Sequence, residues 1–403
     1  MSCGIDMSEI HIFIIWEKAR EKESEILLDI RKNFKILQTF EINWSEKEFE
    51  RNLLRLYGNS LKNSLSKKNV CGNGSFLFII VKDENPKYEK RNTLHGEDTV
   101  NVNVFDKKIE YRKIGGGGQR VHASNSEKES NRNIGLILNK SIKDFKEENK
   151  DIKQVHTDLV GSKKWDSLEQ FFTILNQSLD YVVLRNFEEL PGIYKKGFEG
   201  DIDILAEDKN EIELVTNGYK ISPENFGRRF KILIKDEKIH LDLRYVGDGY
   251  LDEKWQKLIL KEKVFKNKIF VPDEKNYFYS SLYHYLIQKK SISKINIKKI
   301  FELGKIIDNN IEFNKINDKE SLRKVLENFL LKENFSYTKP EDSSVFFDNS
   351  YVEQSKKIQN IKISKTEHKQ TPGLIRLIQN SYFILKSEGV RSLFQAAKAK
   401  LKK

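Results

Sequence analysis

The sequence predicts an α+β protein of more than one domain, and three observations carry that expectation. The chain has 403 residues, more than one hydrophobic core usually organises. Residues 10–140 alternate apolar, strand-like runs with helix-like stripes. A second strand-rich stretch opens near residue 180 and gives way to helical spacing after residue 275.

In chain order, IHIFIIW reads as a buried strand, and KAREKESEILLDIRKNF sets Ile26, Leu27 and Ile30 on one helical stripe. KILQTFEINW is a second strand. Ser45, with Glu48 three residues on, predicts a capping box for the helix EKEFERNLLRLYGNSL. GSFLFIIVKD is a third strand. A polar segment leads to NVNVFDKKIEYRK, four glycines and RVHASNSEKES, and NRNIGLILN closes the unit. The order β-α-β-α-β predicts a small sheet with helices on one face. DYVVLRNF opens the second unit, and SLYHYLIQ and KKIFELGKII carry helical spacing beyond it. The expected organisation is a domain over 8–140, a linker over 141–168, a mixed-sheet domain over 169–275, a helical region over 276–338, a linker over 339–371 and a basic amphipathic helix over 372–403.

The formal net charge is +12, which favours anionic partners: nucleotides, nucleic acid or an acidic membrane surface. Seven Lys or Arg and one Glu follow Pro372, so half of the excess lies there. Leu374, Ile378, Leu385, Val390, Leu393 and Phe394 keep helical spacing in that tail, as in a helix lying on an anionic membrane or in one packed with a frayed basic end. Two cysteines, Cys3 and Cys71, make no disulfide framework and fit a reducing cytoplasm. No apolar run reaches the roughly 20 residues of a membrane span, and the N-terminus lacks the basic region and cleavage site of a signal peptide. The chain is expected in the cytoplasm, at the inner face of the membrane if the tail binds there.

Two constellations carry chemistry. In the first, Gly115–Gly118 precede His122, Ser124 and Ser126. A histidine accepts a phosphoryl group when one ring nitrogen is free and the other is held, and the transfer needs donors for the phosphate oxygens. The same residue types also suit a glycine hairpin followed by a helix cap, with His122 merely ending a strand. In the second, Asp201 and Asp203 alternate with Ile202 and Ile204, so both carboxylates share one strand face. KIHLDLRYV alternates likewise and presents His240, Asp242 and Arg244 together. Adjacent strands would bring three aspartates together, the arrangement that holds Mg²⁺ or Mn²⁺ against a nucleoside triphosphate; the alternative is two solvated aspartates at a strand end. GDGYLDEKW fits no EF-hand spacing and reads as a turn, and His284 lies on an aromatic helix face, as a core residue.

RVHASNSEKESNRNIGLIL resembles the active-site stretch of nucleoside diphosphate kinases, in which the catalytic histidine precedes Gly-Ser-Asp-Ser, a Glu-Ser pair and Glu-Ile-Gly-Leu. The likeness covers about residues 10–140. It implies a ferredoxin-like fold, an oligomer formed through this domain, and His122 as the phosphohistidine. It implies Tyr57, Arg91, Arg112, Gln119 and Ser124 as nucleotide or phosphate ligands, with Lys18 beside Glu17, where the family has its turn lysine. Ala123, Asn125 and Asn133 stand where the family has Gly, Asp and the orienting Glu, and Lys107, Lys108, Asn101 and Asn103 offer other ligands. Residues 175–290 resemble the polymerase-beta-like nucleotidyltransferases, in the minimal form encoded beside surface-polysaccharide genes. That likeness implies Asp201, Asp203 and Asp242 as metal ligands, Asp242 also as a catalytic base, and Arg185 and Asn186 in place of the Gly-Ser triphosphate grip. Together they imply a nucleotide-dependent phosphoryl or nucleotidyl transferase of surface-polysaccharide assembly, with a lipid-linked or glycan acceptor. A degenerate nucleotide-sensing scaffold, a glycan-modifying transferase and an RNA-end nucleotidyltransferase or toxin stay open as alternatives. No aromatic-interleaved basic strand marks a nucleic-acid motif.

Overall fold

The computed structural model describes residues 7–58, 61, 64–93, 96–192, 194, 201–221, 229–291, 294–307, 319–359 and 363–364. Gly200 and the tail 372–403 lie outside the described residues. The architecture is mixed α and β, as expected, in two compact units. The first runs to Ser178 and takes in Leu214–Asn217; the second holds the remainder.

In the first unit the elements are β1 (Glu9–Ile15), α1 (Glu23–Asn33), β2 (Lys35–Ile42), α2 (Phe49–Tyr57), α3 (Ser64–Cys71), β3 (Phe76–Asp83), β4 (Tyr88–Thr93), β5 (Gly96–Asn101), α4 (Val102–Ile114), β6 (Val121–Ala123), α5 (Glu127–Leu138), β7 (Ile152–Val155) and α6 (Leu168–Ser178). The main sheet has the order β6-β1-β3-β2-β7. β1 runs antiparallel to β3 and β6, β2 antiparallel to β3, and β7 parallel to β2.

Phe13, Ile15, Leu77, Ile79 and Val81 pack with Ile26, Ile30, Val104 and Tyr111 on one face. Ile12, Ile14, Phe78 and Ile80 are equally buried on the other. Both faces are therefore covered, which corrects the expected one-sided sheet. The unbroken apolar runs of β1 and β3 are what two-sided burial demands. Residues 152–155 join this sheet as an edge strand, so the stretch read as a linker contributes a strand. The expected capping box at Ser45 is absent. Ser45 Oγ donates instead to Asp158 (2.8 Å), and α2 begins at Phe49 without a side-chain cap.

α5 follows the histidine strand and is capped properly. Ser126 Oγ accepts from the Glu129 amide (3.2 Å), while Glu129 Oε2 accepts from the Asn125 amide (2.7 Å). Ser126→Ala should lower stability by about 1 kcal/mol, read as a lower urea midpoint with an unchanged slope.

The second unit contains β8 (Tyr181–Val183), β9 (Ile202–Ala206), α7 (Lys209–Thr216, whose last turn belongs to the first unit), β10 (Tyr219–Lys220), β11 (Arg229–Ile234), β12 (Glu237–Tyr245), α8 (Glu253–Lys261), β13 (Val264–Lys266), β14 (Ile269–Val271), α9 (Glu274–Ile287), α10 (Lys294–Ile307), α11 (Lys319–Glu333), β15 (Tyr337–Thr338), α12 (Asn349–Gln359) and β16 (Ile363–Ser364). Its main sheet has the order β10-β11-β12-β9-β8, with β9 and β12 parallel. Trp255, Phe278, Leu282, Tyr283, Leu326 and Phe329 lead its core. Within the stretch read as a second linker, α12 forms, β16 pairs with β15, and Asp342 is buried. Asp252 caps α8, so GDGYLDEKW is the expected turn.

Candidate functional site

His122 sits on the edge strand β6, opposite Ile14 of β1, and is 7% exposed. Its neighbours Val121 and Ala123 enter the core shared with α1 and α4, which turns the imidazole to the other face. The Tyr57 ring, at the end of α2, meets the imidazole edge to face at 4.9 Å. Trp16 Nε1 donates to the Tyr57 hydroxyl (3.2 Å). Glu129 Oε1 lies 3.4 Å from His122 Nε2, without the alignment of a full hydrogen bond. Among the described residues no hydrogen bond reaches Nδ1.

Two lysines lie near this ring, and an arginine holds the strand beside it. Lys67 of α3 lies 4.7 Å over the Tyr57 ring and donates to the Gln119 carbonyl (2.8 Å) and to Gln119 Oε1 (3.3 Å). Lys108 of α4 donates to Asn125 Oδ1 (2.6 Å). Arg112 Nε donates to the Val121 carbonyl (2.9 Å). The two lysines are 4% and 5% exposed, and neither makes an ion pair among the described residues. Burial pulls each down to about 8, and it lowers Arg112 too. Burial also lowers His122, helped by repulsion from Lys108 and Lys67 and opposed by Glu129, so the imidazole is neutral at pH 7. Burial pushes Glu129 up, but His122, the Asn125 amide and Lys108 outweigh it and hold the carboxyl below its usual range.

Of the expected ligands, Tyr57 meets His122 directly, while Arg112 and Gln119 border it through the Val121 carbonyl and Lys67. Three others are engaged elsewhere. Ser124 is buried in a separate network: Oγ accepts from the Ile12 amide (3.2 Å) and Ser130 Oγ (2.8 Å) and lies 3.0 Å from His11 Nδ1. Arg91 is on the β4–β5 hairpin, paired with Asp106 through two bonds (3.2 and 3.0 Å) and with Glu89 (2.8 Å). Lys18 is exposed and donates to the Asn69 carbonyl (2.8 Å). Glu129 and Lys67 escaped the sequence reading. Glu129 precedes the expected orienting position, Asn133, by one helical turn on the same face, a spacing that could have found it. A cleft of about 1040 Å³ lies elsewhere in this unit, at the start of β2 and α4, lined by Lys35, Lys87, Asp106 and Lys107 among others. His122 does not line it.

In the second unit the register sets Asp203 beside Asp242 across parallel β9 and β12. Asp201 lies 3.6 Å from His240 Nδ1. Arg185, just past β8, grips both oxygens of Asp203 (2.9 and 3.1 Å) and donates to the Tyr250 hydroxyl. Arg244 donates to Asp242 Oδ2 (2.7 Å) and, from its other terminal nitrogen, to Asp342 (3.0 Å). Tyr250 also meets Nδ1 of the half-buried His284 at 2.8 Å, which ties His284 to this packing. Asn186, at φ +56°, accepts from Lys299 (3.4 Å).

The buried, unpartnered Oδ1 of Asp242 is the feature a cation site would offer. Against it, Arg185 occupies both Asp203 oxygens and Arg244 the second oxygen of Asp242. The carboxylates are charge-balanced by guanidiniums, and in this arrangement the residues do not fit Mg²⁺ or Mn²⁺. Burial pushes Asp242 up to about 6, with Arg244 opposing and Asp203 and Asp342 adding to it. This value lies above the ordinary carboxyl, so the folded state keeps a proton that the unfolded state releases. That contribution to stability is complete in acid and fades as pH rises through about 6. Arg244→Met would strand the buried Asp342 and the partly buried Asp242 and should lower stability by about 3 kcal/mol at pH 7. In urea titrations the gap from the parent should narrow as pH falls below 6.

No protein-family profile and no curated protein matches the chain.

Proposed function

We propose that the first unit is a phosphoryl-transfer domain in which His122 accepts the γ-phosphoryl group of a nucleoside triphosphate. One observation carries the reading: the buried Lys67 and Lys108 and the half-buried Arg112 gather beside the His122 strand, with Glu129 as the local carboxylate 3.4 Å from the imidazole. Buried cations without carboxylate partners are costly unless an anion joins them. A triphosphate supplies that anion. The strand order β6-β1-β3-β2, antiparallel throughout, matches a ferredoxin-like sheet and supports the likeness to nucleoside diphosphate kinases.

The chemistry follows from the ring. With the proton on Nε2, facing Glu129, Nδ1 holds a lone pair. Nδ1 attacks the γ-phosphorus, the bond to the β–γ bridging oxygen breaks, and the nucleoside diphosphate leaves. Lys67, Lys108 and Arg112 bind and orient the phosphate oxygens and offset their charge. Glu129 steadies the imidazolium-like ring that forms. A second nucleophile then takes the phosphoryl group from Nδ1.

Incubation of the full chain with γ-labelled and α-labelled triphosphates tests this. Acid-labile label retained from the γ position, and absent from the α position, is expected. Label transferred from the α position to an acceptor would instead favour nucleotidyl transfer by the second unit, where the charge-balanced aspartates give less support. Binding without either transfer would favour a sensing scaffold. The surface-polysaccharide setting, with a lipid-linked or glycan acceptor, rests on the sequence likeness of the second unit.

A further inference from the structure

The hairpin β13–β14 stands out on the surface of the second unit. Its strands pair Val264 with Val271, Phe265 with Phe270 and Lys266 with Ile269. The two-residue turn, Asn267 and Lys268, has φ of +50° and +66°, the left-handed pair of a tight hairpin turn. Glycine is the unstrained residue there, and this turn carries a lysine instead.

The strands are unequal. Ile269 and Val271 are buried and anchor the hairpin, whereas every residue of β13 is exposed. Phe265 is 60% and Val264 44% exposed. The Phe265 ring rests against Phe270 at 5.1 Å, so it is held outward on a firm base. Residues 263–272 contain three lysines and no carboxylate; Lys266 and Lys268 are exposed, Lys263 pairs with Asp180, and the exposed Lys261 and Glu262 precede them.

We infer that this hairpin docks on an anionic lipid bilayer, with Phe265 and Val264 entering the acyl boundary and Lys266, Lys268 and Lys261 lying among the headgroups. The charge pattern selects that occupant. Lysines on an exposed edge strand oppose strand addition by a second protein chain. They also match a negative surface, and an exposed aromatic ringed by cations suits a bilayer interface. The inference is independent of the phosphoryl-transfer reading.

The test uses the full chain and vesicles of phosphatidylcholine with or without about one-third phosphatidylserine. In a Phe265→Trp variant, the new tryptophan's emission should shift to the blue with the anionic vesicles and not with the neutral ones. Phe265→Ser should weaken co-sedimentation with anionic vesicles about tenfold, and Lys266→Glu about fivefold. An unmoved emission overturns the proposal. So does undiminished sedimentation of Phe265→Ser, which would place membrane contact elsewhere in the chain. A blue shift that grows with protein concentration in the absence of vesicles, as in self-association, overturns it as well.

Discussion

His122→Ala should abolish retention of the γ-label, lowering phosphoryl transfer by about three orders of magnitude or more. The size of the effect follows from the proposed role, because a methyl group cannot replace the nitrogen that would carry the phosphoryl group. Glu129→Gln separates this role from a structural one. It keeps the shape of the side chain and removes the charge 3.4 Å from Nε2. Transfer should fall about ten- to a hundredfold, with the triphosphate Kd nearly unchanged. The pH profile should also move. Without Glu129, nothing opposes the burial that lowers the imidazole, so the acid limb of the rate should shift to lower pH. A purely structural His122 would leave the label on the chain in the alanine variant, and it would leave the pH profile of the glutamine variant where the parent's lies.

Much of the scaffold around that ring was legible in residue order. IHIFIIW and FLFIIV announce strands because their apolar runs outlast any one-sided alternation. The same runs do not say what covers the second face, and that cover went unforeseen. KIHLDLRYV and GDIDIL each revealed a polar face through period-2 spacing; that the two strands are neighbours, with Asp203 beside Asp242, comes from the register. What spacing cannot show is where a guanidinium reaches. Arg185 lies 18 residues before Asp203, and Asp342 lies 98 residues beyond Arg244; both contacts depend on tertiary packing. Glu129 was hidden by an offset carried over from a resemblance. Lys67 was hidden by its surroundings, since a polar KNSLSKK does not advertise a helix that buries one of its lysines.

Lys67→Met should make the folded chain more stable and the site nearly useless. Lys67 stands at about 8 in the folded chain against an ordinary 10.5. A difference of that size corresponds to about 3 kcal/mol of destabilisation by the buried charge at pH 7. The sign is fixed by the direction of the shift. The folded value is depressed, so the unfolded chain binds the proton more tightly. The cost is fully present below pH 8 and disappears as pH rises through 8 toward 10.5. Methionine keeps most of the length and packs against Tyr57 without a charge. Its urea midpoint at pH 7 should exceed the parent's, and the two should converge toward pH 10. Triphosphate binding should weaken about a hundredfold, in keeping with the loss of a buried, charge-assisted contact. A residue retained for packing alone would show the opposite pair of results: methionine would lower the midpoint and leave the triphosphate Kd where it was. On the proposed reading the buried lysine is a cost to the fold that an arriving anion offsets, and stability and binding should move in opposite directions when it is removed.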